Sequence, residues 1–426
     1  MESLSNLPYE LLAMINAYAA DWVGLESLLE VSPQLKELFT GDADTKVHLD
    51  AIRLVESILQ QNPVMRYDLH SLFRMVLKLR QPSMADVSLA EFMAQDHSLS
   101  LMASLSSITP AMLKETVSIA ANIQRLACAC LTTLLCRVRK VQPSCWKKVV
   151  TDGTEPYQPR EAGPPSWIEE YRVYRALWHL QLYSDLSIAG ERLNWPQSEV
   201  EEWWFERMGW DQVPVVLGEE VRTLSECLEA LCQVKPILRP TKGQATGVYT
   251  EKHLFDICLV SRLPYASQLR RRFHVWTPSP PPKIPDADDG LPMDIWGQGV
   301  ESIHWNRISA IFRASQLRTS THPARYQVCR IQDSRPWRAL GMPIWDTWRC
   351  YCLGLCPSKY RRGEHPGPIP APDGSLVAKG CIPVARGSEV DYRISVFIHA
   401  RMQMEEHERE ESVSDGELAR RIHSKQ

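Results

Sequence analysis

Cys350, Cys352 and Cys356 cluster in a polar, proline-flanked stretch with His365 downstream. Three thiolates and an imidazole are a donor set that zinc accepts. The C-x-C-x3-C spacing, however, is not one of the paired-ligand knuckles, and no C-x2-C follows it, so no metal is assigned. Ser144-Cys145-Trp146-Lys147 fits S-x-x-K, a serine nucleophile beside a lysine base, but so short a pattern arises readily by chance. Gly297 and Gly299 begin a G-x-G, yet Ser302 stands at the third glycine position and no strand precedes it. The phosphate-cradling G-x-x-x-x-G-K-[ST], H-E-x-x-H and G-x-S-x-G are absent. Carboxylates are scattered over helix surfaces, whereas acid–base catalysis favours titratable pairs in apolar surroundings. No catalytic residue and no cofactor are therefore assigned, and the chain reads as non-enzymatic. The stretch from Leu269 to Trp276 (LRRRFHVW) interleaves cations with rings, as a nucleic-acid surface would. Three arginines are few, so it reads as a basic helix end whose Phe273 and Trp276 pack inward.

Composition agrees. Forty-eight Lys plus Arg against 51 Asp plus Glu leave a net charge of −3, without the basic excess of a polyanion binder. No nucleic-acid partner is expected. The longest apolar run, Leu126 to Cys136, is far short of the about 20 residues a membrane-spanning helix needs. Met1-Glu2-Ser3 offers neither a basic start nor an apolar stretch, so an intracellular protein is expected, cytoplasmic or nuclear, with no membrane partner. The cysteines show no staple pattern: Cys128, Cys130 and Cys136 sit inside the apolar run as small hydrophobes, and reduced thiols follow.

The elements that would position any site are mostly helices. Leu69, Leu72, Phe73, Val76 and Leu77 repeat at i, i+3, i+4, i+7 and i+8, with Ile52, Val55 and Leu59 as a stripe before the Asn62-Pro63 break. Ser88 with Glu91 has capping-box spacing, and Thr109-Pro110 opens a helix over about 111–139 that is apolar on nearly every side, as a central bundle helix is. Residues 151–166 form a Pro/Gly-rich linker. Trp167, Trp178, Trp195, Trp203, Trp204 and Trp210 crowd the next block, where helical spacing favours a core over a ligand cleft. Ser198/Glu201 and Thr223/Glu226 read as further helix starts, the second with Leu224, Cys227, Leu228, Leu231 and Cys232 on its apolar face. A helix is expected from Thr250 to about Ser261 and another over Ser302 to Ala314. Val390, Tyr392, Ile394, Val396 and Ile398 alternate as a strand does. The acidic tail carries Ser412 and Ser414, each three residues before an acid, and reads as a solvated segment.

The N-terminal 40 residues carry the sharpest pattern. Leu7-Pro8 opens a helix, since proline's missing N–H has no partner in the first turn, and Leu11, Leu12 and Ile15 continue its apolar face. A turn from Ala20 to Gly24 leads to a stripe at Leu25, Leu28 and Leu29. Val31-Ser32-Pro33 then restarts a third short helix with Leu35, Leu38 and Phe39. Three helices of this size bury too little surface to stand alone, so they must lean on later helices or on a partner.

Leu7-Pro8-Tyr9-Glu10-Leu11-Leu12, Ile15, the Leu25/Leu28/Leu29 stripe and Val31-Ser32-Pro33-Gln34-Leu35 resemble an F-box, of the kind that begins many large fungal proteins. Ser32-Pro33-Gln34-Leu35 departs from the basic residue and tryptophan common in F-boxes. The resemblance implies docking on a Skp-type adaptor of a cullin ubiquitin ligase, with the rest of the chain recruiting a substrate protein. Leu7, Pro8, Leu11, Leu12, Ile15, Leu28, Leu29 and Val31 would form the docking surface. The alternatives are a helical scaffold whose N-terminal unit packs intramolecularly and, from another class, an enzyme with a cleft in the tryptophan-rich block.

The fold class expected is mainly α: an F-box-like unit (1–45), a helical bundle (46–150), the linker (151–166), a tryptophan-rich helical block (167–276), a Pro-rich connector (277–292), an irregular α+β region (293–400) and a charged tail (401–426).

Overall fold

Prolines and short polar side chains set where the helices of this chain begin. The computed structural model describes residues 7–41, 46–81, 84, 86–140, 161–208, 214–233, 238–240, 257–259, 263–264, 273–280, 338–346, 349, 369–370 and 376–377. Helix α1 (Tyr9–Ala19) follows Pro8, and α2 (Trp22–Val31) is capped by Asp21, whose carboxylate accepts from the Val23 N–H at 3.1 Å. Helix α3 (Pro33–Leu38) places Pro33 at its first position behind the Ser32 cap. Then come α4 (Leu49–Gln61), a π turn (Met65–Leu69), α5 (His70–Lys78), α6 (Leu89–Ala94), a 3-10 turn (Leu101–Ser107) and the long α7 (Pro110–Lys140). Further along the chain lie α8 (Trp167–Leu193), α9 (Gln197–Met208) and α10 (Pro214–Cys232). Two short antiparallel pairs complete the described elements: β1 (Leu238–Pro240) with β2 (Ile257–Leu259), and β3 (Ile369–Pro370) with β4 (Leu376–Val377). The chain is mainly helical, as expected.

It divides into two units, Met1–Thr133 with Pro165–Lys283, and Leu134–Pro164 with Ile284–Gln426. In the first, helices read from the sequence as two blocks, before 151 and after 166, share one core. Its centre is aromatic: Trp22 stacks on Phe73 at 5.1 Å between ring centroids, and Phe73 meets Trp178 at 5.8 Å. Leu69, Leu72, Phe73, Val76 and Leu77 are all buried, as are Ile52, Val55 and Leu59. On α7, every residue from Ala120 to Leu131 is buried. By length and composition α7 could cross a membrane, but a helix so covered by its own chain serves as a core helix. Trp167, Trp178, Trp195 and Trp204 are buried as well, with the Trp167 and Trp195 indoles donating to the Pro63 and Val87 carbonyls.

Helix α8 is buried on nearly all sides and carries charge inward. Arg175 forks onto Glu220, Nη2 donating to Oε1 at 2.7 Å and Nε to Oε2 at 3.2 Å, and Arg80 reaches Asp185 at 2.7 Å. Arg74 pairs with Glu56 at 3.0 Å, and Arg125 with Glu26. The Glu220 and Glu56 carboxylates are each met at both oxygens by their guanidinium, whereas Gln181 and the Ser118 hydroxyl take the second oxygen of Asp185 and of the half-buried Glu26.

In the second unit, Trp345 donates to the Leu340 carbonyl at 2.7 Å, and Arg349 stacks over the Trp345 ring and donates to Pro164 O at 2.8 Å. Gly341 has φ +73°, and a Cβ there would sit 3.0 Å from the Trp345 ring, so both backbone and space require glycine.

Several expectations are corrected. The turn before α2 is only Ala20-Asp21, because Asp21 caps the helix at Trp22. Thr223 does not begin a helix; it lies within α10, its hydroxyl donating to Glu219 O at 2.7 Å, the back-bond that satisfies a mid-helix threonine. Helix α9 starts at Gln197, one residue before Ser198. Ile257–Leu259 is a strand, not part of a helix from Thr250. Cys136 is exposed, whereas Cys128 and Cys130 are buried. Residues 273–276 lie in no helix, and 269–272 of the same stretch lie outside the described residues. The Ser302–Ala314 helix, the Val390–Ile398 strand, the acidic tail, Ser144 to Lys147, Gly297, Gly299, Trp210 and the Cys350/Cys352/Cys356/His365 cluster lie outside the described residues.

Candidate docking face

Helix α1 carries two apolar stripes that meet different surroundings. Leu12 and Asn16, one turn apart, point inward: Leu12 is fully buried, and the Asn16 amide donates to Leu54 O at 3.1 Å and Ser57 Oγ at 3.2 Å. These bonds fix α1 on α4. On the other side, Leu11, Met14, Ile15 and Tyr18 repeat at i, i+3, i+4 and i+7 and are 45, 54, 41 and 86% exposed. That spacing puts all four on one face of the helix.

The same division runs through α2. Trp22, Leu25 and Leu29 are buried, Leu28 is half-buried and Val31 is 54% exposed. Polar bonds hold the inner side to α7. Gln124 Oε1 accepts from the Trp22 and Val23 N–H groups at 3.0 and 3.3 Å, completing the helix N-terminus alongside Asp21. Glu26 takes the Arg125 guanidinium and the Ser118 hydroxyl, the latter at 2.8 Å. Below, the Asn62 amide donates to Ala20 O at 2.8 Å, fixing the left-handed Ala20 (φ 44°) that ends α1. The outer side of α1 is thus presented by a rigid base.

Of the eight residues expected to dock, Leu11, Ile15 and Val31 are exposed. Pro8 is exposed as the N-cap of α1, and Leu7 and Leu28 are half-buried. Leu12 and Leu29 belong to the chain's own core and offer nothing to a partner. Met14 and Tyr18, which sequence reasoning passed over, complete the exposed stripe; the signal was their i+3 and i+7 spacing from Leu11.

A second set of chemistry-bearing groups lies between α7 and α8. Glu170 is buried, and burial pushes its carboxyl up to about 7, a value suited to proton transfer. Both of its oxygens are occupied, one by the Trp276 indole N–H and the other by the Ser279 N–H at 2.8 Å, so neither faces a substrate. Cys128 beside it is no nucleophile: burial pushes the thiol up to about 12. Among the described residues, no three His, Cys, Asp or Glu side chains come together as metal ligands would.

No family model, no curated protein and no solved structure matches this chain.

Proposed function

We propose that the chain is an F-box-like, non-enzymatic adaptor. The outer face of α1, with Val31, docks on a Skp-type subunit of a cullin ubiquitin ligase, and the rest of the chain recruits a substrate protein inside the cell. The observation that carries this reading is the open Leu11/Met14/Ile15/Tyr18 stripe on a helix whose other side is bolted to α4. Fully burying one such side chain contributes roughly 1.5–3 kcal/mol, so a soluble chain rarely leaves four aligned without a use for them. The scaffold alternative has its own support in the buried half of the unit, where Leu12, Leu25 and Leu29 pack intramolecularly. The two differ in what covers the outer face.

The test is capture of a Skp-type adaptor by the full chain and by Leu11→Asp/Ile15→Asp, with circular dichroism to show that the variant is folded. Both positions are exposed, so the fold should survive. Capture by the wild type and its loss in the folded variant is the expected result. No capture by the wild type would leave the scaffold reading in its place.

A further inference from the structure

One amide side chain on α7 is shared by two parts of the first unit that are far apart in sequence. Gln124 is fully buried. Its oxygen accepts from the Trp22 and Val23 N–H groups that begin α2, and its nitrogen donates to Trp276 O at 3.1 Å. The opposite orientation of the amide would set its N–H groups against two donors and its oxygen against a carbonyl. Trp276 belongs to residues 273–280, which lie in no helix or strand and are held to α7 and α8 by side chains. The Trp276 N–H donates to Cys128 Sγ at 3.5 Å, its indole N–H donates to Glu170, and the Ser279 N–H donates to the same carboxyl at 2.8 Å.

We propose that Gln124 makes residues 273–280 and the start of α2 one coupled element, so that lifting the segment from α8 loosens the N-terminal unit. A primary amide is a neutral side chain that accepts at one atom and donates at its neighbour, and both ends are engaged here. Without Trp276 O the buried Nε2 has no acceptor, and a buried donor left unmet is costly. The amide then turns towards water that enters where the segment lay, and its oxygen leaves the Trp22 and Val23 N–H groups.

Asp21 still accepts from the Val23 N–H, so α2 frays at its first turn rather than unfolding. That turn follows directly on the left-handed Ala20 that ends α1, and α2 itself carries Leu28 and Val31. The coupling stands whatever docks on α1 and α2. Joined to the adaptor reading, it makes the docking unit respond to whatever grips residues 273–280.

Hydrogen exchange of the full chain at one fixed pH, read at the Trp22, Val23, residue 276 and Ser279 amides, tests this. Trp276→Phe keeps a ring and removes the indole donor to Glu170, a contact that does not touch α2. It should lower protection by about threefold or more at Ser279 and also at Trp22 and Val23. Gln124→Glu keeps an acceptor for α2 but replaces the donor to Trp276 O with an oxygen that the carbonyl repels. It should lower protection at Trp276 and Ser279 while leaving Trp22 and Val23 at least as protected as in the wild type. The double variant Gln124→Glu/Trp276→Phe should match Gln124→Glu alone at Trp22 and Val23, since the shared amide is gone. Unchanged protection at Ser279 in Trp276→Phe, a loosened Ser279 with Trp22 and Val23 unchanged, or a loss at Trp22 and Val23 that persists in the double variant would each overturn the proposal.

Discussion

Helices α5 and α1 carry the same apolar spacing and end in opposite environments. At α5, Leu69 (its N-cap), Leu72, Phe73 and Val76 are all at most 3% exposed, whereas on α1 Leu11, Met14, Ile15 and Tyr18 range from 41 to 86%. Helix α5 lies between the π turn and α8, so neighbours cover its stripe. Helix α1 has already spent its inner side on α4, through Leu12 and Asn16, and a second stripe is left over. The spacing defines a face; what covers that face is decided by the other elements.

The comparison breaks most visibly in the core. Phe73→Ala should cost about 3–5 kcal/mol in urea unfolding, because it empties the space between Trp22 and Trp178. Leu11→Ala on the open stripe should stay within about 0.5 kcal/mol. Equal losses at the two positions would mean that the α1 stripe is covered in solution. Next in size is docking. Met14→Asp/Tyr18→Asp should weaken adaptor binding by at least about 30-fold, the loss of roughly 2 kcal/mol that defines a hot spot, with the unfolding midpoint unchanged. Unchanged affinity would confine the face to the residues legible as F-box-like. The smallest effect concerns the base of α1. Asn16→Ala removes the donor to Leu54 O and Ser57 Oγ and should cost about 1–2 kcal/mol, again by urea unfolding. No loss would show that α1 is not held to α4 by these bonds.

Much of the helical frame was legible because its signals are local. Pro8, Pro33 and Pro110 stand at or just before helix starts, Ser88 and Glu91 form the expected capping box, and the α4 and α5 stripes are buried. Local signals also mislead. The Thr223/Glu226 spacing imitates a cap, although a threonine within a helix satisfies its hydroxyl on the preceding turn. Ile257–Leu259 becomes a strand only through its pairing with Leu238–Pro240, a partner that periodicity does not reveal. The Leu269–Trp276 stretch suggested a helix end, but Trp276 acts through Gln124, Cys128 and Glu170, residues about 100 or more positions away in the chain.

The candidate face was half legible for the same reason. Leu11, Ile15 and Val31 were named from their type and position, yet Leu12 and Leu29 are indistinguishable from them in sequence and lie in the core. Separating the two groups requires knowing where α4 and α7 sit. Met14 and Tyr18 were missed because the family pattern drew attention to leucines and isoleucine rather than to the stripe as a whole.

The most direct measurement is hydrogen exchange across residues 9–19 and 70–78 of the full chain, with and without a saturating Skp-type adaptor. The account predicts slower exchange over α1 on adding the adaptor and no change over α5, whose stripe is already covered. Identical exchange over α1 with and without the adaptor would contradict it.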